Sequence, residues 1–224
     1  MPWAGEVWWA TARPVDDRLL DAATRARLAA MRRPDDRDRH ATAVRLSDLL
    51  VRSRAGDGAR VHRRRGAPPQ VVGADAPLHL SVSHAGPYVA VAIGPHPLGV
   101  DVEEVGADIE WTAAVMVASG EAEAVAALPS ADRQAALLRL WVRKEAVLKA
   151  AGVGLTVDPR LVALSDGPGG PVVAAAPPLP IAGEIMVRDL TGPAGSVSAL
   201  AGIGGPVAGV TEHDGDAAIA AAGS

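Results

Sequence analysis

The chain has 224 residues, a formal net charge of −4 and no cysteine. This length can bury one large core or two smaller ones, and the lack of cysteine excludes disulfides, thiolate metal sites and a cysteine nucleophile. No stretch approaches the ~18 consecutive apolar residues of a membrane span, and residues 1–10 lack the pattern of a signal peptide. We therefore expect a soluble, cytoplasmic protein with no membrane or nucleic-acid partner.

Basic residues are concentrated in the first third of the chain. Residues 1–75 hold 15 arginines against 10 acidic residues, whereas residues 76–224 hold 7 basic residues against 16 acidic ones. One interpretation is a solvated surface on which arginine is the favoured cation. The other is an anion-binding first part and a carboxylate-rich second part, as a metal-dependent enzyme acting on a phosphorylated substrate needs.

The first half of the chain is predicted to contain a strand, two helices, a turn-rich stretch and three strands. Pro34 precedes the second helix, in a position suited to its first turn. The connections between the last three strands are short, which favours an antiparallel meander. The predicted limits, in chain order, are 6–12, about 16–31, about 35–51, 63–69, 78–82, 88–93 and 98–103.

The second half is predicted to begin with helices and to continue with strands. Ser119 is the expected N-cap of the middle helix, with Glu121 in its first turn. The predicted limits are 109–117, a helix after Ser119, about 130–151, and strands at 171–175, 184–190 and 196–203. Helices followed by strands in both halves predict an α+β fold of two similar lobes. We place these lobes at 1–104 and 105–212, followed by a flexible tail over 213–224.

Two carboxylates stand on one face of the strand over 98–103. Side chains alternate along a strand, so Asp101 and Glu103 point to one side while Val100 and Val102 pack on the other. Mg²⁺ takes hard oxygen ligands, commonly one or two carboxylates together with water and substrate phosphate. The alternative is an edge strand that shows its polar face to water.

The predicted helix over 130–151 carries both lysines of the chain. Trp141, Glu145 and Lys149 follow i, i+4 spacing and lie along one stripe, which places Glu145 at the shoulder of an apolar face. If this helix packs across the strand of Asp101, Glu145 completes a three-carboxylate site with Lys149 one turn away. The alternative is a plain Glu–Lys pair on the helix surface. Lys144 lies on another side, and we expect it at the rim of a cleft or in solvent.

A serine and a histidine stand where the strand over 78–82 runs into a tight turn. Ser83 and His84 are neighbours on a strand and therefore point to opposite faces, so they do not form a catalytic dyad. One interpretation is a turn with a solvated histidine. The other is a phosphate contact from the serine and the imidazole.

These motifs together resemble one protein family. The run Ser83-His84, the strand Gly99-Val100-Asp101-Val102-Glu103, the helix segment Trp141-Val142-Arg143-Lys144-Glu145-Ala146-Val147-Leu148-Lys149 and the turn Gly152-Val153-Gly154-Leu155 are similar to the surfactin-synthetase-type 4'-phosphopantetheinyl transferases. The order of the motifs and the spacing of about 40 residues between Asp101 and the helix segment match that family. The resemblance is strongest over 78–155.

The resemblance implies a pseudo-dimer of two similar α+β lobes, with coenzyme A as co-substrate in the cleft between them and Mg²⁺ on its diphosphate. It also implies a monomeric enzyme that acts on an apo acyl or peptidyl carrier protein. Glu145 would be the general base, and Lys149 would hold the diphosphate. The implied metal ligands are Asp101, Glu103 and Glu145, and the implied phosphate contacts are Arg39, Ser83 and His84.

Two departures from the family affect the nucleotide side of the site. Ala67 stands where the family often carries a lysine, and Arg65 is the candidate to replace it. Arg25, Arg27 and Arg37 compete with Arg39 for the phosphates. Two other functions remain open from the residues alone: a Mg²⁺-dependent nucleotide phosphohydrolase that uses the same carboxylates, and a coenzyme A binding module without turnover.

Overall fold

The computed structural model describes residues 3–64, 66–106, 116–167, 170–177, 179–180, 183–204 and 207–223. Within these residues lie five α-helices and eleven strands. The helices are α1 (Ala22–Ala29), α2 (Pro34–Ala55), α3 (Ser119–Ala127), α4 (Ser130–Ala150) and α5 (Gly215–Ala221). The strands are β1 (Trp3–Thr11), β2 (Arg60–His62), β3 (Gln70–Val72), β4 (His79–Ala85), β5 (Tyr88–Gly94), β6 (Leu98–Glu104), β7 (Ala163–Gly167), β8 (Gly170–Ala175), β9 (Ile185–Asp189), β10 (Ser196–Ile203) and β11 (Val207–Asp214).

The strands form two larger sheets and a short ribbon. The first sheet has the order β11-β1-β5-β4, in which β1 runs parallel to β11 and antiparallel to β5. The second sheet has the order β6-β10-β9-β8-β7 and is antiparallel throughout. The ribbon pairs β2 with β3.

The two sheets pack against each other, and each is covered by a helix on its outer face. Between the sheets lies a buried apolar cluster that includes Val7, Ala90, Val100 and Leu200. The helix α2 packs on the first sheet and α4 on the second, each with a core cluster of its own. Helices and mainly antiparallel sheets in separate layers make an α+β fold, so the predicted class is confirmed. That the two halves form a pseudo-dimer of similar lobes stays a prediction.

The predicted meander is wrong at its third strand. β4 and β5 form the expected antiparallel hairpin, but β6 pairs with β10 in the second sheet. The reason is that β5 already has β4 on one edge and β1 on the other, so it has no edge left for β6. The carbonyl of Pro97 accepts a hydrogen bond from Ile203 of β10 before β6 begins.

Two helix starts differ from the prediction. The predicted helix over 16–31 is divided into a 3₁₀ turn over Asp17–Leu19 and α1, because the side chain of Asp21 caps α1 by accepting from the amide of Thr24. The helix α3 takes Ala118 as its N-cap residue instead of Ser119, and Glu121 accepts a hydrogen bond from the Ala118 amide at 2.8 Å. In both helices, nevertheless, a carboxylate accepts a hydrogen bond from a backbone amide at the N-terminus.

The end of the chain is built into the first sheet. A flexible tail was expected over 213–224, whereas β11 runs to Asp214 beside β1 and is followed by α5, whose Ile219 is buried against the α2 side of the core. With five alanines and one isoleucine, α5 and its surroundings lack the pattern of large apolar residues from which hydrophobic periodicity predicts a helix. The strand β6 belongs to the first predicted lobe but joins the second sheet, and β11 belongs to the second predicted lobe but joins the first sheet. The division into lobes at residue 104 stays a prediction.

The predicted helix over 109–117 lies outside the described residues, apart from residues 116 and 117. No helix in the described part of the chain is long and apolar enough to cross a membrane.

Candidate active site

A glycine lets the helix α4 lie directly on the strand β6. A Cβ atom on Gly99 would be 2.1 Å from the carbonyl oxygen of Ala146, 2.4 Å from the amide nitrogen of Ala150 and 2.8 Å from the Cβ of Lys149. Only a residue without a side chain fits so close a backbone approach. This contact brings Lys149 over Asp101, two residues further along the strand.

Asp101 lies at the centre of a small hydrogen-bond network. Its Oδ1 accepts from the Oγ of Ser83 at 2.7 Å and from the Nζ of Lys149 at 2.6 Å. Its Oδ2 is buried and has no hydrogen-bond partner among the residues that the structure describes. An unpaired buried carboxylate oxygen is costly, since a charge removed from water must be compensated. The network lines a cavity of about 340 Å³, which we call the carboxylate cleft; its walls are Val82, Ser83, His84, Asp101, Glu103, Trp141, Glu145 and Lys149.

The other two predicted carboxylates line the same cleft. Glu103 accepts a hydrogen bond from the indole Nε1 of Trp141 at 3.3 Å, and Glu145 Oε2 lies 3.9 Å from the Nζ of Lys149. Burial, together with the charge of Asp101, raises the pKa of Glu103 above its usual value. Burial also raises the pKa of Glu145, and the negative charges of Asp101 and Glu103 add to this while Lys149 opposes it. The cleft therefore holds more negative charge than Lys149 neutralises.

The donor chemistry of the cleft fits a divalent cation. Carboxylate oxygens are the hard ligands that Mg²⁺ takes, and the unpaired Oδ2 of Asp101 is an oxygen that a cation could satisfy. Among the residues described, however, no three acidic or imidazole side chains are close enough to enclose a metal ion. The ammonium of Lys149 forms an ion pair with Asp101, 2.6 Å from its Oδ1.

Lys149 is held by three acceptors of this chain. Besides Asp101, its Nζ donates to the Oγ of Ser83 at 3.1 Å and to the carbonyl oxygen of Val100 at 3.3 Å. An ammonium has three N–H groups; Asp101 Oδ1 and Ser83 Oγ, which are 2.7 Å apart, lie on the same side of the Nζ and share one of them. The side chain is nevertheless 27% exposed, so it borders the open part of the cleft.

A second, basic cavity adjoins the carboxylate cleft. It has a volume of about 160 Å³ and shares Val82 and His84 with the cleft. We call it the arginine pocket, because the guanidinium and imidazole groups in its walls are those of Arg27, His40, Arg63, Arg64 and His84.

The charge of the arginine pocket disfavours any further cation. Burial, reinforced by Arg27, His84 and Arg63, lowers the pKa of His40 to about 4. Burial also lowers the pKa of His84, with Arg39 and Lys149 adding to the effect. Both imidazoles are therefore neutral at physiological pH beside a cluster of arginines, an environment that suits an anion.

Only some of the basic residues proposed from the sequence line this pocket. Arg27 was one of several open candidates and lines it. Arg39 instead donates to the carbonyl of Gly86 at 2.8 Å and pairs with Asp36, which places it at the β4–β5 turn beside His84. Arg65 lies outside the described residues.

His40 was missed, although the sequence carries a signal for it. It stands on α2 in the same stripe as Val44 and Ser47, both of which line the pocket. A histidine in register with buried residues faces the interior of the fold.

A third opening lies at the turn after α4. It is about 690 Å³ in volume, and its walls come from residues 66–69, Ser81 and the turn Gly152–Thr156. It shares Lys149 and Val82 with the carboxylate cleft. The motif Gly152-Val153-Gly154-Leu155 therefore borders the site, with Leu155 61% exposed at its edge.

Lys144 is fully buried, so its expected place at a cleft rim or in solvent is wrong. Its Nζ donates to the carbonyl of Met116 at 2.7 Å, to Glu121 Oε2 at 2.6 Å and to the carbonyl of Pro159 at 3.2 Å. Burial lowers the pKa of Lys144, and Glu121 opposes this shift. The signal for burial was present, because Leu140 and Leu148 lie one turn before and after it.

The comparisons with known proteins cover the part of the chain that contains these carboxylates. A sequence model of the 4'-phosphopantetheinyl transferase superfamily matches residues 97–182, from the start of β6 to beyond α4. The 4'-phosphopantetheinyl transferase psf-1 of Bacillus pumilus is 29% identical over 79 residues, which are 35% of this chain and 34% of that protein. The chain thus spans about a third of the length of this curated relative. The resemblance to the 4'-phosphopantetheinyl transferases is therefore confirmed for the segment that carries the carboxylate cleft.

Proposed function

We propose that this chain transfers the 4'-phosphopantetheine arm of coenzyme A to a serine of an apo acyl or peptidyl carrier protein, releasing 3',5'-ADP, with Mg²⁺ as cofactor. The observation that carries the proposal is the direct junction between the carboxylate cleft and the arginine pocket at Val82 and His84. A substrate with a terminal phosphate and a separate diphosphate can bind both cavities at once. The similarity of residues 97–182 to the superfamily supports the same reading.

The nucleotide end of coenzyme A is assigned to the arginine pocket. A guanidinium fork binds phosphate oxygens in a bidentate way, and Arg27, Arg63 and Arg64 supply three such groups around a cavity of about 160 Å³. Neutral imidazoles can donate one hydrogen bond each without adding charge. The 3'-phosphate would therefore be held by these arginines together with His40 and His84. Arg39 and Ser83 remain candidates for weaker contacts at the border between the cavities.

The diphosphate is assigned to the carboxylate cleft. Asp101, Glu103 and Glu145 are the proposed ligands of Mg²⁺ there, and their side chains would have to come closer together than they are in this structure to enclose it. When bound, Mg²⁺ neutralises the charge on the oxygens of the transferring phosphoryl group. Ser83 and Lys149 border the same space and provide a hydroxyl and an ammonium for the diphosphate.

Glu145 is the proposed general base. Glu145 is 8% exposed on the cleft wall, and burial raises its pKa toward the working pH, where a general base is most effective. The carrier serine gives its proton to Glu145 as its oxygen bonds to the phosphorus that bears pantetheine. The bond between that phosphorus and the bridging oxygen breaks, and 3',5'-ADP leaves with the oxygen. The carrier supplies the nucleophile, so the enzyme needs none of its own. Since one chain holds both cavities, we propose that the monomer is active.

A carrier-loading assay tests this function. Incubation with Mg²⁺, coenzyme A and an apo carrier should add the mass of one phosphopantetheine arm to the carrier. Asp101→Ala and Glu145→Ala should abolish the gain, while Asp132→Ala, an exposed acid in the first turn of the same helix α4, should keep it. A phosphohydrolase would instead release phosphate without a carrier, and a binding module would bind coenzyme A without turnover. Either result, across fatty-acid, polyketide and peptide carriers, would exclude the transferase.

A further inference from the structure

The strands β4 and β6 lie side by side at the site but belong to different sheets. β4 pairs with β5, and β6 pairs with β10. Two serine side chains of β4 connect it to the backbone of β6. The Oγ of Ser81 accepts a hydrogen bond from the amide of Val100 at 3.1 Å, and the Oγ of Ser83 accepts one from the amide of Val102 at 3.4 Å. Residues two apart on a strand share a face, so these contacts are successive rungs of one junction, which we call the serine rungs.

The serine rungs satisfy amides that are buried between the two sheets. In an antiparallel pair, the peptide groups of alternate residues point toward the partner strand and away from it. Those of Val100 and Val102 point away from β10, because their amides reach β4. Val100 is fully buried and Val102 is 1% exposed, and a buried amide that loses its partner costs more than the bond itself contributes. The position of β6 beside β4 therefore depends on the two hydroxyls.

The two serines differ in what else they contact. The Oγ of Ser83 also donates to Asp101 at 2.7 Å and lies 3.1 Å from the Nζ of Lys149, so this hydroxyl is part of the carboxylate cleft. Ser81 is 5% exposed and borders the third opening instead. Among the described residues, the hydrogen-bond partner of its hydroxyl is the amide of Val100. Ser81 therefore acts on the carboxylate cleft through the backbone of β6.

Val100 connects Ser81 to Asp101. Its amide is held by Ser81 of β4, and its carbonyl oxygen accepts from the Nζ of Lys149 of α4 at 3.3 Å. The same peptide unit leads directly to Asp101, whose Oδ1 is bound by Ser83 and Lys149. We propose that Ser81 is a positioning residue of the site: it holds β6 against β4 at Val100 and so keeps Asp101 within reach of the hydroxyl of Ser83. This role stands on the contacts alone, whereas its effect on turnover rests on the proposed function.

Amide hydrogen exchange, followed by nuclear magnetic resonance, tests the positioning without a substrate. The variants are Ser81→Ala and the control Ser198→Ala. Ser198 lies on β10 opposite Val102, is similarly buried, and has an Oγ without a hydrogen-bond partner among the described residues. In Ser81→Ala the amide of Val100 should exchange about tenfold faster, and that of Val102 should follow because its rung depends on the same placement of β6. The amide of Asp101 points to β10, so its rate should change by less than about twofold.

Two outcomes of the exchange measurement would overturn the positioning role. One is an unchanged rate at Val100 in Ser81→Ala, and the other is an equal acceleration at Val100 and Asp101, which would reflect a general loss of stability. Acceleration at Val100 in Ser198→Ala as large as in Ser81→Ala would overturn it as well, because the loss of any buried serine would then have the same effect.

Carrier loading tests the consequence for turnover. The kcat of Ser81→Ala should fall by about tenfold, less than the roughly hundredfold cost of a 1 Å misplacement, while KM for coenzyme A should change by less than about twofold. Ser198→Ala should load the carrier as wild type does. Wild-type kcat in Ser81→Ala, with KM unchanged or raised, would overturn the proposal, because Ser81 would then have no effect or would contact coenzyme A at the third opening. Failure of wild type to load any carrier would instead exclude the transferase, and the amide exchange would still decide whether Ser81 positions β6.

Discussion

The substitution Gly99→Ala tests whether the contact between β6 and α4 sets the geometry of the site. The new Cβ would be 2.1 Å from the Ala146 carbonyl oxygen, whereas ordinary contact begins at 3.4 Å. The nearest atoms belong to the backbone of α4, which cannot rotate away as a side chain could. The helix must therefore move off the strand by roughly 1 Å, a displacement that is known to cost about a hundredfold in rate when it misplaces reacting groups.

The expected results are a loss of stability and a larger loss of activity. Overpacking of this kind costs about 1–3 kcal/mol, which urea denaturation measures. The carrier-loading rate should fall by about a hundredfold, because Glu145 and Lys149 move with the helix while Asp101 stays on the strand. Gly99 has no positive φ, so the cost comes from packing and not from a forbidden backbone conformation.

Gly120→Ala is the matched control for Gly99→Ala. Gly120 lies in α3, and a Cβ there would meet nothing within 4 Å. Alanine is the better helix former by about 1 kcal/mol, so this variant should be as stable as wild type or more so, with unchanged loading. Wild-type stability and loading in Gly99→Ala would refute the reasoning, since the close approach would then have no energetic consequence.

Three further predictions concern charged groups. Lys144→Met should lower the free energy of unfolding by about 3–5 kcal/mol because it leaves the charge of Glu121 buried and uncompensated; urea denaturation should show partial recovery in Lys144→Met/Glu121→Gln, which removes that charge and keeps a side-chain oxygen for the amides of Ala118 and Leu164, and a single variant as stable as wild type would contradict the buried pair. Since the pKa of Glu145 is raised by burial, the stability it contributes is present below the usual pKa of a glutamate and is lost as pH rises through the raised value. In EDTA, Glu145→Gln should therefore gain more melting temperature over wild type at pH 8 than at pH 4, and the reverse order would exclude a raised pKa. Arg27→Met should weaken coenzyme A binding by about tenfold, as expected for a lost charge-assisted contact, but should affect 3'-dephospho-coenzyme A little; equal losses, measured by calorimetry, would place the 3'-phosphate elsewhere.

The positions of the carboxylates could be predicted because they depend on local periodicity. Alternation along β6 places Asp101 and Glu103 on one face, and the i, i+4 spacing on α4 places Glu145 and Lys149 on one stripe. Both patterns are fixed by backbone geometry, whatever surrounds the elements. That the two elements meet could be inferred only from the family resemblance, because contact between β6 and α4 depends on the absence of a side chain at Gly99.

The arginine pocket and the sheet order were harder to predict for the same reason. Which arginine faces a cavity depends on long-range contacts such as the one between Arg39 and the carbonyl of Gly86, and 20 arginines offer too many equivalent choices. The assignment of β6 to the second sheet depends on β1 pairing with β5, across about 80 residues of chain. Such pairings leave no mark in the local pattern of either strand.

Three consecutive charged residues of α4 have different roles: two of them attach the helix to its neighbours, and the third lines the site. Arg143 binds Asp189 through two hydrogen bonds, at 2.7 and 2.6 Å, and Asp166 at 2.9 Å. Lys144 holds the start of α3, and Glu145 faces the carboxylate cleft. Successive helical residues are 100° apart, so the three charges point to three different sides. Arg143 and Lys144 each have a carboxylate oxygen at 2.6 Å, whereas the cation paired with Glu145 among the described residues is Lys149, at 3.9 Å. A helix held by ion pairs on two sides, of which only that of Lys144 is fully buried, can therefore present an under-compensated carboxylate on the third, which is the condition that binding a cation and accepting a proton both require.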